Sequence, residues 1–184
     1  MIIGITGTNG SGKDTVASLL VKKLHWPHYS LSDEIRQVAK ERSLSPTRQN
    51  LIKLGNTLRQ EFGASYLSNR IMQNISDNFI ATSIRNPEEI NPFKQTGKFV
   101  LITVDAPIEL RYQRIIQNSH RTGQKVSEEK SSFTEFKQQE QSELTGNKFS
   151  QQLNTVIGLA DVKIANDGTI EELEQVIDKF LSTI

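Results

Sequence analysis

A nine-residue stretch near the N-terminus, Gly7–Thr15, constrains this chain more than any other feature. It reads GTNGSGKDT, so its first and last glycines enclose four residues and are followed by Lys13. An apolar run at residues 1–6 precedes it, and a helical pattern of apolar residues begins at Lys13. A strand, a glycine loop and a helix in this order are the setting in which the pattern G-x-x-x-x-G-K binds phosphate. The alternative is a glycine turn that binds nothing.

The chemistry of this stretch favours phosphate binding. Glycines let the backbone curl so that successive N–H groups point at phosphate oxygens, and the following helix adds its unpaired N–H groups and positive dipole end. Lys13 adds a full positive charge. Asp14 departs from the pattern, because a Ser or Thr hydroxyl normally meets Mg²⁺ there and Thr15 comes one residue later. The predicted ATP-phosphate site comprises Gly7, Thr8, Asn9, Gly10, Ser11, Gly12, Lys13, Asp14 and Thr15.

Length and composition exclude several classes of protein. A chain of 184 residues is predicted to form one domain, residues 1–184. Its 22 basic and 21 acidic residues nearly balance, so nothing in the bulk charge indicates nucleic acid or an anionic membrane as a partner. Cysteine is absent, which excludes disulfides and thiolate zinc sites. The apolar run at the N-terminus is too short for a signal peptide. We therefore expect a soluble cytoplasmic protein.

Apolar strand patterns alternate with helical patterns along the whole chain. This alternation is the signature of an α/β fold, in which a parallel sheet has helices on both faces. Amphipathic patterns predict helices in the intervals, including one over residues 47–62 and others near 64–76 and 149–160. Ser32 is the predicted N-cap of the helix after the second strand. The predicted strands lie at residues 1–6, 28–31, 79–82, 99–104 and 161–165.

The predicted helix at 47–62 has two faces. Leu51, Leu54, Leu58 and Phe62 form an apolar stripe, and the other face is mostly polar. A glycine inside a helix costs about 1 kcal/mol relative to alanine, so we expect close approach of another group at this position. That group is either a neighbouring helix or a ligand, and the sequence does not choose between them. The polar face contains Gly55, Asn56 and Arg59.

Polar residues follow each predicted strand, and in an open parallel sheet ligands bind at this edge. Asp33 and Arg36 lie three residues apart on one helix face. The carboxylate could act on an acceptor or through Mg²⁺-bound water while the arginine holds an acceptor phosphate, or the two could simply form an ion pair. Asp105 is a weaker candidate for supporting Mg²⁺. Asn166 could bond a base edge, although Asn-Asp-Gly is also a good turn. The predicted metal site comprises Thr15, Asp33 and Asp105.

Several arginines are placed to stabilise a migrating phosphoryl group. Such a group needs positive charge and exclusion of water, and the arginine fork binds phosphate bidentately. Arg85 lies between a strand end and a capped helix, which favours function over a solvated surface charge. A polar insert at about 115–135 could close as a lid, and Arg111, Arg114 and Arg121 lie beside or within it. The predicted catalytic residues are Lys13, Asp33, Arg85, Arg111, Arg114 and Arg121.

Taken together, these residues resemble the P-loop nucleoside monophosphate kinases. Lys13-Asp14-Thr15 is similar to the loop of phage-type deoxynucleoside monophosphate kinases. The segments 29–36, 55–59 and 160–173 look like dephospho-CoA kinases and poorly assigned archaeal nucleotide kinases. One departure is Ser83, which ends the third strand where many relatives carry an acid. The resemblance covers nearly the whole chain, but only the loop is a highly specific motif.

The resemblance implies a three-layer fold whose five-stranded parallel sheet has the order 2-3-1-4-5. It implies transfer of the ATP γ-phosphoryl group, with Mg²⁺, to a small nucleotide-like acceptor. The acceptor would bind a helical region at about 32–76, and Asn166 would belong to the ATP site. The arginines of the insert would act on the lid side. The residues implied to bind the acceptor are Asp33, Arg36, Gly55, Asn56, Arg59 and Arg85.

Three hypotheses follow from the sequence. The first is a nucleoside or deoxynucleoside monophosphate kinase that acts as a monomer or homodimer, without nucleic acid or membrane partners. The second is dephospho-CoA kinase, although its acceptor motif after the second strand is not clearly present. The third is a nucleotide-binding switch or regulatory ATPase that has no small acceptor. The polar face of the helix at 47–62 favours an acceptor site over a switch.

Overall fold

Five parallel strands form the central sheet of the computed structural model, which describes residues 1–73, 75, 77–117 and 132–184. The strand order is β2-β3-β1-β4-β5. This order and the parallel pairing confirm the predicted fold class. The strands are β1 (Ile2–Thr6), β2 (His28–Ser30), β3 (Phe79–Thr82), β4 (Phe99–Asp105) and β5 (Val162–Ala165).

Helices connect the strands, as parallel pairing requires. A 3₁₀ turn at Pro87–Glu89 follows β3, and Asn86 and Glu89 form a capping box at its start. The helices of the described residues are α1 (Lys13–Leu24), α2 (Leu31–Glu41), α3 (Arg48–Phe62), α4 (Tyr66–Met72), α5 (Asn91–Lys94), α6 (Ile108–Gln117), α7 (Phe133–Leu144), α8 (Leu153–Gly158) and α9 (Ile170–Leu181).

The sheet separates two apolar cores, which gives the molecule three layers. Successive side chains of a strand point to opposite faces, and β1 shows this alternation. Ile2 packs with residues of α2, α3 and α4, whereas Ile3 and Ile5 pack with residues of α1 and α9. Every residue of β1 and β3 is buried, as expected for strands covered on both faces.

Some predicted boundaries were wrong by a few residues. α2 begins at Leu31, with Ser30 rather than Ser32 at its N-cap position. α8 begins at Leu153, because the Asn147 side chain accepts hydrogen bonds from the backbone N–H groups of Phe149 and Ser150 and forms a turn there.

The neighbouring helices α3 and α4 also differ from the prediction. α4 is shorter than the predicted helix at 64–76. Phe62 was assigned to the apolar stripe of α3, but it is 56% exposed and stacks on Tyr66 instead, with 4.7 Å between the ring centroids. The apolar stripe of α3 therefore ends at Leu58, which is buried.

Two further predictions meet the limits of the described residues. Most of the predicted lid, including Arg121, lies outside them. No helix within the described ranges is long and apolar enough to cross a membrane. The helical region at 32–76 corresponds to α2, α3 and α4, and its assignment to an acceptor stays a prediction.

The parallel register brings the carboxyl ends of the strands to one edge of the sheet. Thr6 pairs with Thr103 at the end of β1, Ser30 pairs with Thr82, and Asp105 pairs with Ala165. The loop Gly7–Thr15 leaves the central strand at this edge. The residues that leave the neighbouring strands here surround the loop, so this edge is where a ligand site can form.

Candidate functional site

The glycine loop is tightly enclosed by its neighbours. Gly12 has φ +90° and ψ 16°, a left-handed conformation that side chains rarely adopt, and a Cβ atom there would lie 2.0 Å from Nδ2 of Asn166. A Cβ atom on Gly10 would lie 2.6 Å from the backbone oxygen of Arg111. Lys13 begins α1 and is only 7% exposed. The curled loop and the helix start therefore present backbone N–H groups together with a lysine.

Two residues far away in sequence hold this loop in place. The Asn166 side chain, after β5, donates from Nδ2 to the backbone oxygen of Ser11 at 2.8 Å. Arg111 of α6 donates to the backbone oxygens of Ala106 at 2.8 Å and Asn9 at 3.3 Å. Asn166 was a candidate for binding a base edge, and that role stays a prediction.

Arg111 and Arg114 lie on α6 beside the glycine loop. Both terminal nitrogens of Arg111 donate to the Glu140 carboxylate, and Arg111 is buried. An Nη atom of Arg114 lies 4.0 Å from the point that a Cβ on Gly12 would occupy. Both arginines therefore lie close to the glycine loop.

A cavity of about 380 Å³ opens beside Lys13 and extends between α2 and α3 to the residues that follow β3. It brings together many of the predicted site residues. Those that line it are Asn9, Lys13, Asp14, Asp33, Arg36, Gly55, Arg59 and Arg85. Other predicted residues of the described part of the chain are not part of its lining, namely Gly7, Thr8, Gly10, Ser11, Gly12, Thr15, Asn56, Asp105, Asn166, Arg111 and Arg114.

Three serine hydroxyls meet at the floor of this cavity. The Oγ atom of Ser30 lies 2.9 Å from that of Ser32 and 3.2 Å from that of Ser83, and the last two are 3.3 Å apart. Ser83 has φ +64°, a left-handed conformation that costs a residue with a side chain free energy. Strain of this kind is concentrated at functional sites. The cluster offers hydroxyl donors and acceptors directly beside the phosphate loop.

Asp33 and Arg36 form the predicted i, i+3 ion pair at the mouth of the cavity. Their charged atoms are 2.6 Å apart, and the Asp33 side chain is 67% exposed. Arg36 also donates to Ser32 at 2.9 Å. An ion pair this exposed is worth at most about 1 kcal/mol, so both groups can turn to a ligand at little cost.

Arg85 lies at the inner end of the cavity in a cluster of charged and polar side chains. It donates from Nη1 to Glu143 at 2.7 Å and to Gln151 at 2.9 Å. Arg48 donates to the other oxygen of Glu143 at 2.6 Å. Burial alone would raise the pKa of Glu143, but the charges of Arg48 and Arg85 outweigh it and hold the pKa below its ordinary value. Both arginines and Gln151 line the cavity.

Arg59 was predicted to lie on the polar face of its helix, but its side chain is almost completely buried. Its side chain is 2% exposed and pairs with Glu89, which is fully buried, at 2.8 Å. It also donates to Asn56 at 3.3 Å. A Cβ atom on Gly55 would lie 2.9 Å from Cδ1 of Ile35 on α2. The structure therefore agrees with the first interpretation of Gly55, close approach of a neighbouring helix. Gly55 also lines the cavity.

Sequence reasoning missed several residues of this site. Arg48 lies on the same polar face of α3 as Gly55 and Arg59, and this position in the helical pattern could have identified it as a residue of the site. Glu143 and Gln151 gave no signal, since they approach Arg85 from 58 and 66 residues away. His28 was given no role, yet it lines the cavity and its Nε2 is hydrogen-bonded to Thr82 at 2.8 Å. Partial burial lowers the pKa of His28.

The carboxylates fit a magnesium ion that arrives with a nucleotide. The described residues contain no group of three or more acidic, histidine or cysteine side chains that could hold a metal alone. Mg²⁺ is usually held by one or two carboxylates together with substrate phosphates. Asp14 and Asp33 both line the cavity near Lys13 and match this arrangement. Asp105 is exposed at the end of β4, and its role as a ligand stays a prediction.

Comparison with known proteins places this site in a family. The family model AAA_17, described as an AAA domain, matches residues 6–132. A UPF0200 protein from Pyrobaculum aerophilum is 32% identical over 98% of this chain and 96% of its own length. The chain belongs to the UPF0200 family and carries an AAA domain. A second UPF0200 protein, from Hyperthermus butylicus, is 29% identical over the whole chain and 95% of its own length.

Solved structures similar to this UPF0200 chain share the fold of P-loop kinases. The shikimate kinase of Aquifex aeolicus superposes with a TM-score of 0.56 and 20% identity, covering 99% of this chain and 96% of the kinase. A putative kinase from Chloroflexus aurantiacus gives a TM-score of 0.62 at 15% identity, covering 99% and 96%. At such low identity the likeness concerns the fold alone, and it confirms the predicted P-loop kinase fold.

Proposed function

We propose that this protein transfers the γ-phosphoryl group of Mg-ATP to a nucleoside or deoxynucleoside monophosphate. The observation that carries the proposal is the cavity that joins the phosphate loop to Arg48 and Arg85. A protein that only binds or hydrolyses ATP has no need of a second, arginine-lined space beside the loop. A phosphotransferase needs one, because the acceptor must lie in line with the γ-phosphorus.

The loop supports binding of the donor nucleotide. Its backbone N–H groups and Lys13 would hold the β- and γ-phosphates, and Arg114 approaches the same point at Gly12. When bound, Mg²⁺ would be held by Asp14 and Asp33 and would neutralise charge on the phosphates. Asn166 and Arg111 support the loop by hydrogen bonds to the backbone oxygens of Ser11 and Asn9.

The inner part of the cavity supports binding of the acceptor. Arg48 and Arg85 would bind the monophosphate, since arginine pairs with phosphate through two parallel hydrogen bonds. The hydroxyl groups of the serine cluster would donate hydrogen bonds to the sugar and accept hydrogen bonds from it. Apolar side chains form part of the wall and would contact the planar base, namely Ile35, Pro46, Leu51 and Ile52.

The proposed reaction is a direct displacement. An oxygen of the acceptor monophosphate attacks the γ-phosphorus, the bond from that phosphorus to the β,γ-bridging oxygen breaks, and ADP leaves. Lys13 and Arg85 would stabilise the charge that spreads over the transferred group. Asp33 would orient the water around the reacting phosphates, and its exposure leaves it able to do so.

The proposal is tested by ADP release from Mg-ATP against a panel of candidate acceptors. The panel contains ribonucleoside and deoxynucleoside monophosphates, dephospho-CoA and shikimate, the last because similar solved structures are named shikimate kinases. We expect at least one monophosphate to raise ADP release well above the rate with ATP alone. Turnover only with dephospho-CoA or shikimate would reassign the acceptor, and an unchanged rate with every compound would favour a switch or ATPase.

Lys13→Met is the matched control for this panel. Methionine keeps most of the buried volume of Lys13 and removes its charge. We expect kcat to fall by about 10²-fold or more, as when one preorganised donor to a developing charge is removed. Circular dichroism and the unfolding midpoint should stay close to those of the wild type. Full turnover by this variant would exclude the loop as the donor site.

A further inference from the structure

Helix α7 carries two glutamates, Glu140 and Glu143, that lie one turn apart on the same face. Their side chains are 12% and 4% exposed, which is unusual for carboxylates unless arginines compensate their charge. Each carboxylate is bound to arginine, but to arginines on different sides of the site.

Glu140 reaches the donor side. It binds both terminal nitrogens of Arg111, which is itself buried and donates to the backbone oxygen of Asn9 in the phosphate loop. A chain of hydrogen bonds therefore runs from α7 through Arg111 to the loop.

Glu143 reaches the acceptor side. One carboxylate oxygen accepts from Arg48 at 2.6 Å and the other accepts from Arg85 at 2.7 Å. The two arginines come from α3 and from the segment after β3, and Glu143 is the group that joins them. Glu143 does not line the cavity, whereas both arginines do. The carboxylate thus contacts both arginines from outside the lining of the cavity.

Close packing joins these two sets of contacts. A space of only about 10 Å³ lies between α7, the phosphate loop and Arg48, and both glutamates line it together with Thr8 and Asn9. This volume is barely enough for one water molecule. Packed interiors transmit displacements instead of absorbing them, so a shift of α7 at one glutamate moves the other.

We propose that Glu140 and Glu143 are positioning residues through which nucleotide binding at the phosphate loop and monophosphate binding at Arg48 and Arg85 strengthen each other. This inference rests on the proposed function. The first ligand fixes the arginines and with them α7, and the second ligand then meets arginines that are already ordered. Couplings between sites in proteins usually change affinity by about 5- to 150-fold, and the effect is reciprocal.

The test measures this coupling by isothermal titration calorimetry on the full chain. A non-hydrolysable ATP analogue with Mg²⁺ is titrated alone and in the presence of CMP, UMP and dTMP together, whose bases are unlike the adenine of the donor. For the wild type we expect the monophosphates to lower the Kd of the analogue by about 5-fold or more. The reciprocal titration should show the same factor.

The variants are Glu140→Gln and Glu143→Gln, which keep side-chain size and remove the charge. Each should bring the coupling factor close to one, with a smaller effect on the Kd of the analogue alone. Glu109→Gln is the matched control, because Glu109 is exposed on α6 two residues from Arg111. It should keep the wild-type coupling. Glu143→Asp retains the charge and should restore part of the coupling that Glu143→Gln loses.

The outcomes separate this inference from the proposed function. If the wild type binds both ligands independently, or if both glutamine variants keep the wild-type coupling, the inference is wrong and the proposed function stands. If the wild type binds the analogue but none of the ribonucleoside and deoxynucleoside monophosphates of the acceptor panel, the proposed function fails and the inference fails with it. Should Glu143→Gln not fold, Glu140→Gln decides alone, because it leaves the contacts of Arg48 and Arg85 intact.

Discussion

At the scale of single residues, atoms of neighbouring residues pack against the glycines of the phosphate loop, Gly7–Thr15. They lie so close that a side chain at these positions would clash with them. Gly12 is the clearest case, because the Asn166 amide nitrogen lies where the Cβ of any other residue would be. The same amide group bonds the Ser11 oxygen, so the glycine and the asparagine act as one unit. The observed shape of the loop therefore requires a residue without a Cβ atom at position 12.

Gly12→Ala should impair both folding and nucleotide binding. A left-handed conformation costs a non-glycine residue about 1–2 kcal/mol, and displacement of Asn166 adds to this. We expect a lower urea midpoint and a much weaker affinity for Mg-ATP. Gly158→Ala is the matched control, since no atom lies within 4 Å of its Cβ position, and its stability should change by less than about 1 kcal/mol. Equal behaviour of the two variants would contradict this account.

At the scale of helices and strands, a buried ion pair joins α3 to the segment after β3. Arg59 pairs with Glu89, whose other oxygen accepts from the backbone N–H groups of Arg85 and Asn86 at 2.8 and 3.0 Å. One carboxylate thus fixes a helix and the backbone that carries Arg85. Arg59 is buried and supports the wall of the cavity near Arg85 through its ion pair with Glu89.

Glu89→Gln should destabilise the protein strongly. Removing one partner of a buried ion pair leaves an uncompensated charge and typically costs about 3–5 kcal/mol. The comparison is Glu61→Gln, which breaks an exposed contact of 3.8 Å with Arg42 and should cost less than about 1 kcal/mol. Chemical denaturation of both variants measures the difference. A similar small loss in each would mean that the Arg59–Glu89 pair contributes little.

At the scale of the whole molecule, the contacts of Glu143 with Arg48 and Arg85 make the free energy of unfolding depend on pH. The pKa of Glu143 is lowered in the folded state by Arg48 and Arg85, against the effect of burial. The unfolded chain therefore takes up a proton at a higher pH than the folded chain does. The resulting stability is present above pH 4.5, the ordinary value for glutamate, and is lost as the pH falls through the lower pKa of the folded state.

This pH dependence gives a measurable difference between two proteins. Wild type should lose unfolding free energy faster than Glu143→Gln as the pH falls below 4.5. Denaturant titrations across the acid range measure both slopes. Parallel slopes would show that Glu143 has the same pKa in the folded and unfolded states.

Local patterns in the sequence predicted a parallel sheet with helical layers, whereas the strand order 2-3-1-4-5 was implied by the resemblance to P-loop nucleoside monophosphate kinases. The loop at Gly7–Thr15 and the alternation of strands and helices are both visible in short windows. The contacts of Glu143 and Gln151 are not, since a helix surface carries many polar residues and only the fold decides which ones meet Arg85. Phe62 was assigned to the core for a related reason. An apolar stripe on a helix does not show how far along the helix the packing against neighbouring elements extends.

The hydrogen bond from Asn166 to Ser11 spans 155 residues and has a consequence for how the protein is made. During synthesis the loop and its helix leave the ribosome early, but β1 lies between strands that begin at Phe79 and Phe99. Asn166, which holds the loop by this hydrogen bond, is synthesised only after β5. A nascent chain should therefore gain affinity for nucleotide late and abruptly, and chains arrested before Val162 should bind ATP-agarose far less than longer ones.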